Sequence, residues 1–304
     1  MSFFLAVDAG GTKTDYLLAD GTRVLARVQT GTIKRMRTNA STAVDNLDSA
    51  LSQLSASTGI SMSQVTCTCI GTAGESVPLV AEWLRESFHD RVTGELVLLG
   101  DVEIALDAAF PGAPGIVVIA GTGSNVAGRT ASGQLTGAGG WGPALADQGS
   151  GHKIGVEALR ALFLARDEGR STLLLPAVLS FWELTSWDQI VDYANRLPAP
   201  DFSRLTAPVL DCANQGDAVA MAVLQREGED LAYLARLVMR RLLLEAKDSS
   251  WVPSLAFAGS IMEKVAPVRE ALIAAVQREF PTVVTIDGVV DPIIGALWRA
   301  RSGR

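Results

Sequence analysis

Residues 117–151 read VVIAGTGSNVAGRTASGQLTGAGGWGPALADQGSG, and their first glycine turn follows a predicted strand. The apolar run at 115–120 is typical of a buried strand, and it breaks at GTGSN, residues 121–125. Glycines let backbone N–H groups turn inward and approach an anion closely. The Thr, Ser and Asn of this turn add short polar side chains. The pattern therefore indicates a phosphate-binding turn.

A second glycine run, at 137–142, carries Trp141 and is followed by Asp147 in a glycine-containing loop. This composition indicates a pocket for a polar, ring-shaped ligand beside the phosphate turn. Two ordinary glycine-rich turns in a β-rich region would give the same pattern, so the stretch alone does not decide between the two interpretations.

The chain opens with the same arrangement, and this repetition favours the functional interpretation. Residues 3–7 predict a strand, DAGGTKT at 8–14 a tight glycine turn, and residues 15–19 and 23–28 two further strands. Two copies of one supersecondary unit predict a duplicated α/β fold. Its two lobes would hold a polyphosphate between opposed glycine turns.

Four motifs together resemble one known family. DAGGTKT, GTGSN, GGWG at 139–142 with a following Asp, and AGS at 258–260 are similar to the N-acetylglucosamine kinase branch of the sugar kinase/actin/heat-shock-chaperone ATPases. That branch is grouped with the BadF/BadG/BcrA/BcrD-type activator ATPases. The resemblance covers essentially the whole chain and implies a duplicated ribonuclease H-like, actin/hexokinase-type fold with a nucleotide cleft. It implies an N-terminal lobe at 1–112, on which a terminal helix at 291–304 packs back, and a C-terminal lobe at 113–290.

Composition excludes several other classes of protein. The net charge of −7, from 26 basic and 33 acidic residues, argues against a nucleic-acid partner. Cys67, Cys69 and Cys212 form no disulfide framework, which indicates a reducing compartment. No apolar stretch has the length of a membrane span. We expect a cytoplasmic protein, and the resemblance implies a homodimer.

The two glycine turns predict an ATP site. Phosphoryl transfer depends on positioning and charge stabilisation, and no Walker loop is present to supply them. Asp8 is placed to hold Mg²⁺ through water, since this ion keeps several waters and uses one or two carboxylates. The predicted nucleotide-binding residues, the last three implied by the resemblance, are Gly10, Gly11, Thr12, Lys13, Gly121, Thr122, Gly123, Gly216, Gly259 and Ser260.

Asp101 is the candidate catalytic base. It follows a predicted strand at 95–99 and opens a helix, where it could either cap that helix or serve a ligand site at the strand ends. The resemblance implies that it takes the proton of the sugar hydroxyl under attack. Asp107, further along the same helix, is expected to face solvent. The predicted substrate-binding residues, of which Asn39 and Asp101 are implied by the resemblance, are Asn39, Asp101, Ser124, Asn125, Gly140, Trp141, Gly142 and Asp147.

The expected reaction is ATP-dependent phosphorylation of O6 of N-acetylglucosamine. Glucosamine is the alternative substrate, disfavoured because Gln148 stands where relatives often carry Glu and because Lys153 could add a positive charge. Asn39 could instead be a simple helix cap. Two other classes remain: an ATPase activator of a CoA-ester reductase or dehydratase, which needs cysteines for an iron–sulfur cluster, and a non-catalytic sugar sensor.

Overall fold

The structure, a computed structural model, describes residues 2–246 and 251–303. By contacts the chain forms two units, Met1–Ala113 with Val290–Arg304, and Pro114–Val289. None of the helices within the described ranges is long and apolar enough to cross a bilayer. In chain order the strands and helices are β1 (Phe3–Ala9), β2 (Lys13–Ala19), β3 (Val24–Gly31), α1 (Ala40–Thr58), β4 (Val65–Gly71), α2 (Pro78–His89), β5 (Glu95–Leu99), α3 (Asp101–Ala109), β6 (Gly115–Ala120), β7 (Ser124–Arg129), β8 (Leu135–Gly139), α4 (Gly151–Asp167), α5 (Leu174–Phe181), α6 (Trp187–Ala194), α7 (Thr206–Asn214), α8 (Ala218–Glu245), β9 (Leu255–Ala258), α9 (Ser260–Lys264), α10 (Ala266–Gln277) and α11 (Pro292–Ser302).

The first unit is built on a mixed sheet in the order β3-β2-β1-β4-β5. β1 and β2 pair antiparallel, as do β2 and β3, whereas β1, β4 and β5 run parallel. The central residues of β1 and most of β2 are buried, because apolar clusters pack on both faces of the sheet. The parallel strands bring their carboxyl ends to one edge.

The second unit repeats this plan. Its sheet has the order β8-β7-β6-β9, with β6, β7 and β8 antiparallel and β9 parallel to β6. This is the order of the first four strands of the first unit, and in both units a glycine turn joins the first two strands. The predicted duplicated α/β fold is therefore confirmed.

Local composition and structure differ in two stretches. The apolar run at 283–286 predicts a last strand, but the structure has only a parallel bridge between Thr285 and Leu255. Residues 171–210, interrupted by prolines at 198 and 200, predict a loose insertion, but they contain α5, α6 and the start of α7. The helical pattern at 213–247 also predicts a helix that reaches Lys247, which lies outside the described residues.

α11 belongs to the first unit although it comes last in the chain. It packs on α3 and β1, and Ile293, Leu297 and Ala300 join the apolar cluster under the sheet. Asp107 of α3 is fully buried and accepts a hydrogen bond of 2.9 Å from Nε of Arg299 on α11. The expectation of a solvated Asp107 is wrong, because only the tertiary fold brings Arg299 across the helix pair.

Candidate active site

Two carboxylates of the first unit leave its sheet at the same edge. Asp8 of β1 is in register with Gly71 of β4, and Gly71 with Leu99 of β5. Asp101 follows the end of β5 and opens α3, where its Oδ1 accepts a hydrogen bond of 2.9 Å from the N–H of Val102. Parallel pairing therefore brings together the predicted metal-binding acid and the predicted base.

Burial and mutual repulsion change the acidity of both groups. Desolvation, followed by the charges of Asp101 and Asp15, raises the pKa of Asp8 to about 6. Desolvation also raises the pKa of Asp101, and the ammonium of Lys34 opposes that rise. Crowded carboxylates short of water favour a nearby cation.

The donor set fits Mg²⁺ held mainly by water and phosphate oxygens. Carboxylate oxygens are suitable ligands for this ion. Among the residues that the structure describes, no group of three or more His, Cys, Asp or Glu side chains is arranged to hold a metal. Asp8 is therefore suited to a water-mediated contact rather than to a cage made by the protein alone.

Lys34 is a member of this acidic edge that sequence reasoning missed. Desolvation lowers the pKa of Lys34, whereas the negative charges of Asp101 and Asp8 raise it. Thr32 fixes the segment, since its Oγ1 donates to the carbonyl of Gly10 at 2.7 Å and accepts from the N–H of Lys34 at 3.1 Å. The run KRMR at 34–37 is the only sequence signal, and it resembles an ordinary solvated loop.

The first glycine turn is open. Gly11 and Thr12 are exposed, and a Cβ placed on Gly11 would meet nothing within 4 Å. Lys13 points along β2, with its Nζ 3.7 Å from Oδ2 of Asp15. The backbone at Gly11 and Thr12 is open to a ligand, whereas the N–H of Gly10 donates to the carbonyl of Asp8 at 3.2 Å. The Lys13 amine is directed to a neighbouring carboxylate.

The second glycine turn joins several predicted residues within the second unit. The N–H of Gly121 donates to the carbonyl of Gly123 at 2.8 Å, and the N–H of Gly151 donates to the carbonyl of Gly121 at 2.8 Å. Ser260, at the start of α9 after Gly259, has its Oγ 3.9 Å from where a Cβ of Gly121 would lie. The first turn of α4 and the AGS turn thus both lie against the GTG turn.

Gly216 has a different local role. It lies at the turn between α7 and α8, with a φ of +88° that favours glycine, and its N–H donates to the carbonyl of Ala213. A contact of Gly216 with the nucleotide stays a prediction.

The predicted sugar-binding residues of the second unit converge on Asp147. Its Oδ1 accepts hydrogen bonds from the N–H of Ser124 at 2.7 Å and from the Ser124 hydroxyl at 3.4 Å. Asn125 lies against the backbone of Gly140, where a Cβ would approach its amide to 2.7 Å. Trp141 is 73% exposed, so its indole is available to a ligand.

Two acceptors of this loop are buried without a donor. Within the described ranges, Oδ2 of Asp147 and Oε1 of Gln148 are inaccessible to solvent and have no hydrogen-bond partner. A buried polar atom without a partner is destabilising by about 1–3 kcal/mol. Such acceptors suit a ligand that brings hydroxyl or amide donors.

Two side chains near the predicted sugar site are engaged elsewhere. Oδ1 of Asn39 accepts from the N–H of Thr42 at 2.9 Å and caps α1, which is the alternative that the residues alone favour. Nζ of Lys153 donates to Oε1 of Glu157 at 2.6 Å, one helical turn further along α4. The charge of Lys153 is therefore neutralised within its own helix.

The three cysteines are core residues. Cys67 and Cys69 lie on β4 with the apolar cluster that includes Ala6 and Ile104, and Cys212 is buried in the second unit. Burial raises the pKa of Cys67 to about 11 and that of Cys69 to about 12. Buried, protonated thiols are poor ligands for an iron–sulfur cluster shared at a surface.

The duplicated sheets, the paired glycine turns and the carboxylates at the strand ends define an ATPase of the actin-like and sugar-kinase fold class. A model of the BadF/BadG/BcrA/BcrD ATPase family matches residues 5–300. The chain belongs to this family, as its glycine motifs predict.

Named relatives are found along the full length of the chain. It is 27% identical over 310 residues, covering 99% of both chains, to an N-acetylmuramic acid/N-acetylglucosamine kinase of Clostridium acetobutylicum. A structure from Chromobacterium violaceum assigned as an N-acetylglucosamine kinase is 26% identical, with a TM-score of 0.75 over 98% of both chains. A ROK family glucokinase of Streptomyces griseus, solved with glucose and AMPPNP, shares the fold at 16% identity, with a TM-score of 0.60 over 99% of this chain and all of that one.

Proposed function

We propose that the protein is an ATP-dependent amino-sugar kinase that phosphorylates O6 of N-acetylglucosamine. The observation that carries this proposal is Asp147, whose Oδ1 is fixed by Ser124 while its Oδ2 has no hydrogen-bond partner among the described residues. Because Oδ2 is covered in this structure, the loop around Asp147 would have to open before vicinal sugar hydroxyls could donate to it. The kinase names of the full-length relatives support the same class of substrate.

Each group of residues has a distinct role in this proposal. The backbone N–H groups of the two glycine turns bind phosphate oxygens of ATP. Asp8 would hold Mg²⁺ through water, and the ion would supply charge neutralisation at the phosphoryl group. Asp101 accepts the O6 proton as the hydroxyl attacks, and its raised pKa makes it a better base than an exposed carboxylate.

Replacing Asp101 with Asn tests the assignment of the base. We expect kcat to fall by about 10²–10⁴-fold, the usual contribution of a general base, while the dissociation constant for the sugar, measured by calorimetry, changes little. Asp45→Asn, which neutralises an exposed carboxylate of the same unit, is the control and should retain full activity. Wild-type turnover in Asp101→Asn would show that Asp101 is not the base and serves only as a helix cap.

The choice between acetylated and free amino sugar depends on charge. A free amine is cationic and prefers an acid nearby, whereas Gln148 next to Asp147 is neutral. Because Lys153 pairs with Glu157, its charge is not available to repel a bound ammonium. The expected preference for the acetylated sugar therefore rests on Gln148 alone. ADP release should be compared for N-acetylglucosamine, glucosamine, N-acetylmannosamine, N-acetylmuramate and glucose. A higher kcat/KM for glucosamine than for N-acetylglucosamine would overturn the choice of sugar.

We also propose that the protein is a cytoplasmic homodimer. Three unpaired cysteines are compatible with a reducing compartment, and the dimer rests on the family resemblance. Light scattering across a range of concentrations measures the mass directly, and a monomer throughout would reject the dimer.

A colourless preparation without bound iron would dismiss the alternative of an activator ATPase.

A further inference from the structure

Glu227 is a buried carboxylate that the predicted chemistry does not use. It lies in the middle of α8, is only 1% exposed, and its Oε2 accepts a hydrogen bond of 2.8 Å from the N–H of Gly149. Its neighbours on the same helix face, Leu224, Gly228 and Leu231, are buried and non-polar. A carboxylate at such a position is unfavourable unless it is hydrogen-bonded.

The bond from Gly149 ties the sugar loop to α8. Gly149 follows Asp147 by two residues, and the turn closes through a 3.2 Å hydrogen bond from the N–H of Ser150 to the carbonyl of Asp147. The turn also packs tightly on α8, since a Cβ on Gly149 would lie 2.8 Å from Cδ2 of Leu231. The Asp147 side chain is held from the opposite direction by Ser124. Asp147 is thus fixed both through its side chain and through the backbone of its own turn.

We propose that Glu227 is a positioning residue for the sugar site: its carboxylate holds the turn at 147–150 and thereby fixes the place of Asp147 beside Ser124. The part of this proposal that concerns sugar binding rests on the proposed kinase function. The part that concerns the turn does not.

The surroundings of Glu227 make its charge state sensitive to pH near neutrality. Burial raises the pKa of Glu227 to about 7. The hydrogen bond from Gly149 and the charge of Lys153 lower this pKa, whereas the carboxylates of Asp230 and Glu157 raise it. Lys153 and Glu157 face it from α4, and Asp230 lies on its own helix. A cavity of about 250 Å³ also borders Glu227. Three arginines line this cavity: Arg160, Arg170 and Arg226.

Both charge states of Glu227 are therefore populated around neutral pH. The N–H of Gly149 is held most strongly by the ionised form, because hydrogen bonds to charged acceptors are the stronger ones. Sugar affinity should weaken as the pH falls through about 7, and this change should disappear when position 227 cannot titrate.

Two substitutions separate the hydrogen bond from the charge. Glu227→Met keeps the length of the side chain but removes the acceptor, and Glu227→Gln keeps an acceptor oxygen but does not titrate. Glu229→Gln is the matched control, because Glu229 is exposed on the same helix and pairs outward with Arg278. Hydrogen exchange of peptides spanning 140–152 reports on the turn, and KM for sugar, KM for ATP and kcat report on the site.

We expect Glu227→Met to accelerate exchange at 147–151 and to raise the sugar KM by about 10-fold or more, with kcat and the ATP KM within about threefold of wild type. Glu227→Gln, whose neutral amide resembles the protonated acid, should show at every pH between 6 and 8 a sugar KM near that of wild type at pH 6, with no dependence on pH. The control should match wild type in every measurement.

Unchanged exchange and unchanged sugar KM in a folded Glu227→Met protein would overturn the proposal. If that variant does not fold, a Glu227→Gln profile that follows wild type across pH overturns it instead. Failure of the kinase function itself is distinguishable, because it would appear as wild-type protein that turns over no sugar. The exchange experiment needs no substrate, and it then decides the role of Glu227 in holding the turn.

Discussion

Gly10 and Gly11 are adjacent in the first glycine turn, and they differ in the space around them. A Cβ on Gly10 would lie 2.8 Å from the carbonyl oxygen of Lys13, whereas one on Gly11 would meet nothing within 4 Å. Gly11→Val should therefore fold normally and obstruct only a ligand that approaches the backbone. We expect ATP binding, measured by calorimetry, to weaken by at least about 100-fold, or ~2.7 kcal/mol.

The control for this substitution is Gly21→Val. Gly21 lies in the turn between β2 and β3 and is equally open, but it is not part of the predicted phosphate turn. Loss of ATP affinity in both variants would point to a general defect, and normal affinity in Gly11→Val would reject the phosphate-binding role. Gly123 is a less selective probe, because its Cβ would lie 3.4 Å from Oδ1 of Asp147.

Lys34 should set the pH at which the proposed base becomes active. Burial raises the pKa of Asp101 and the charge of Lys34 lowers it. Removing the ammonium in Lys34→Met takes away a group that stabilises the carboxylate, so the pKa of Asp101 rises further. The acid limb of the kcat/KM profile should then move to higher pH, while Lys34→Arg, which keeps the charge, should leave it near that of wild type. Superimposable Met and Arg profiles would contradict this role.

A buried ion pair forms part of the contact between α3 and α11. Asp107 is fully buried, and Arg299 reaches it from α11. Removing one partner of a buried pair leaves an uncompensated charge, which destabilises a protein by about 3–5 kcal/mol. Arg299→Met should lower the free energy of unfolding, measured with urea, by about this amount.

The double variant Asp107→Leu/Arg299→Met serves as the control. It removes both charges, so most of the lost stability should return. Equal stability of Arg299→Met and wild type would show that the pair contributes little to the attachment of α11.

At the level of elements, the sequence predicts short buried strands well and tertiary pairings poorly. The strands at 95–99 and 115–120 agree with the structure to the residue, because apolar runs bounded by glycine or polar residues have few alternatives. The bridge at Thr285 depends on how a partner strand is placed, which local composition does not encode. The same limit applies to the site: the glycine motifs are local, whereas Lys34 and Glu227 acquire their roles only from neighbours distant in sequence.

At the scale of the whole molecule, the two units share a strand order but not a chemistry. The first unit carries Asp8 and Asp101 at the ends of its parallel strands, and the second carries Asp147 beside its glycine turn. The repeat predicts the common plan, since both copies have the same spacing of strands and turns. The division of roles follows from which loops carry carboxylates, and that part could be predicted only through the family resemblance.

The position of α11 also bears on how the protein is made. The second unit is continuous in sequence, from 114 to 289, whereas the first takes its closing helix from the last residues of the chain. Synthesis proceeds from the amino terminus, so β1–β5 leave the ribosome early. At that point Ile293, Leu297 and Ala300, which cover one face of their sheet, have not yet been synthesised. The second unit, although synthesised later, has every residue it needs before synthesis ends. The half of the molecule that is translated first therefore cannot complete its apolar core until α11 has been synthesised, after the whole of the second unit.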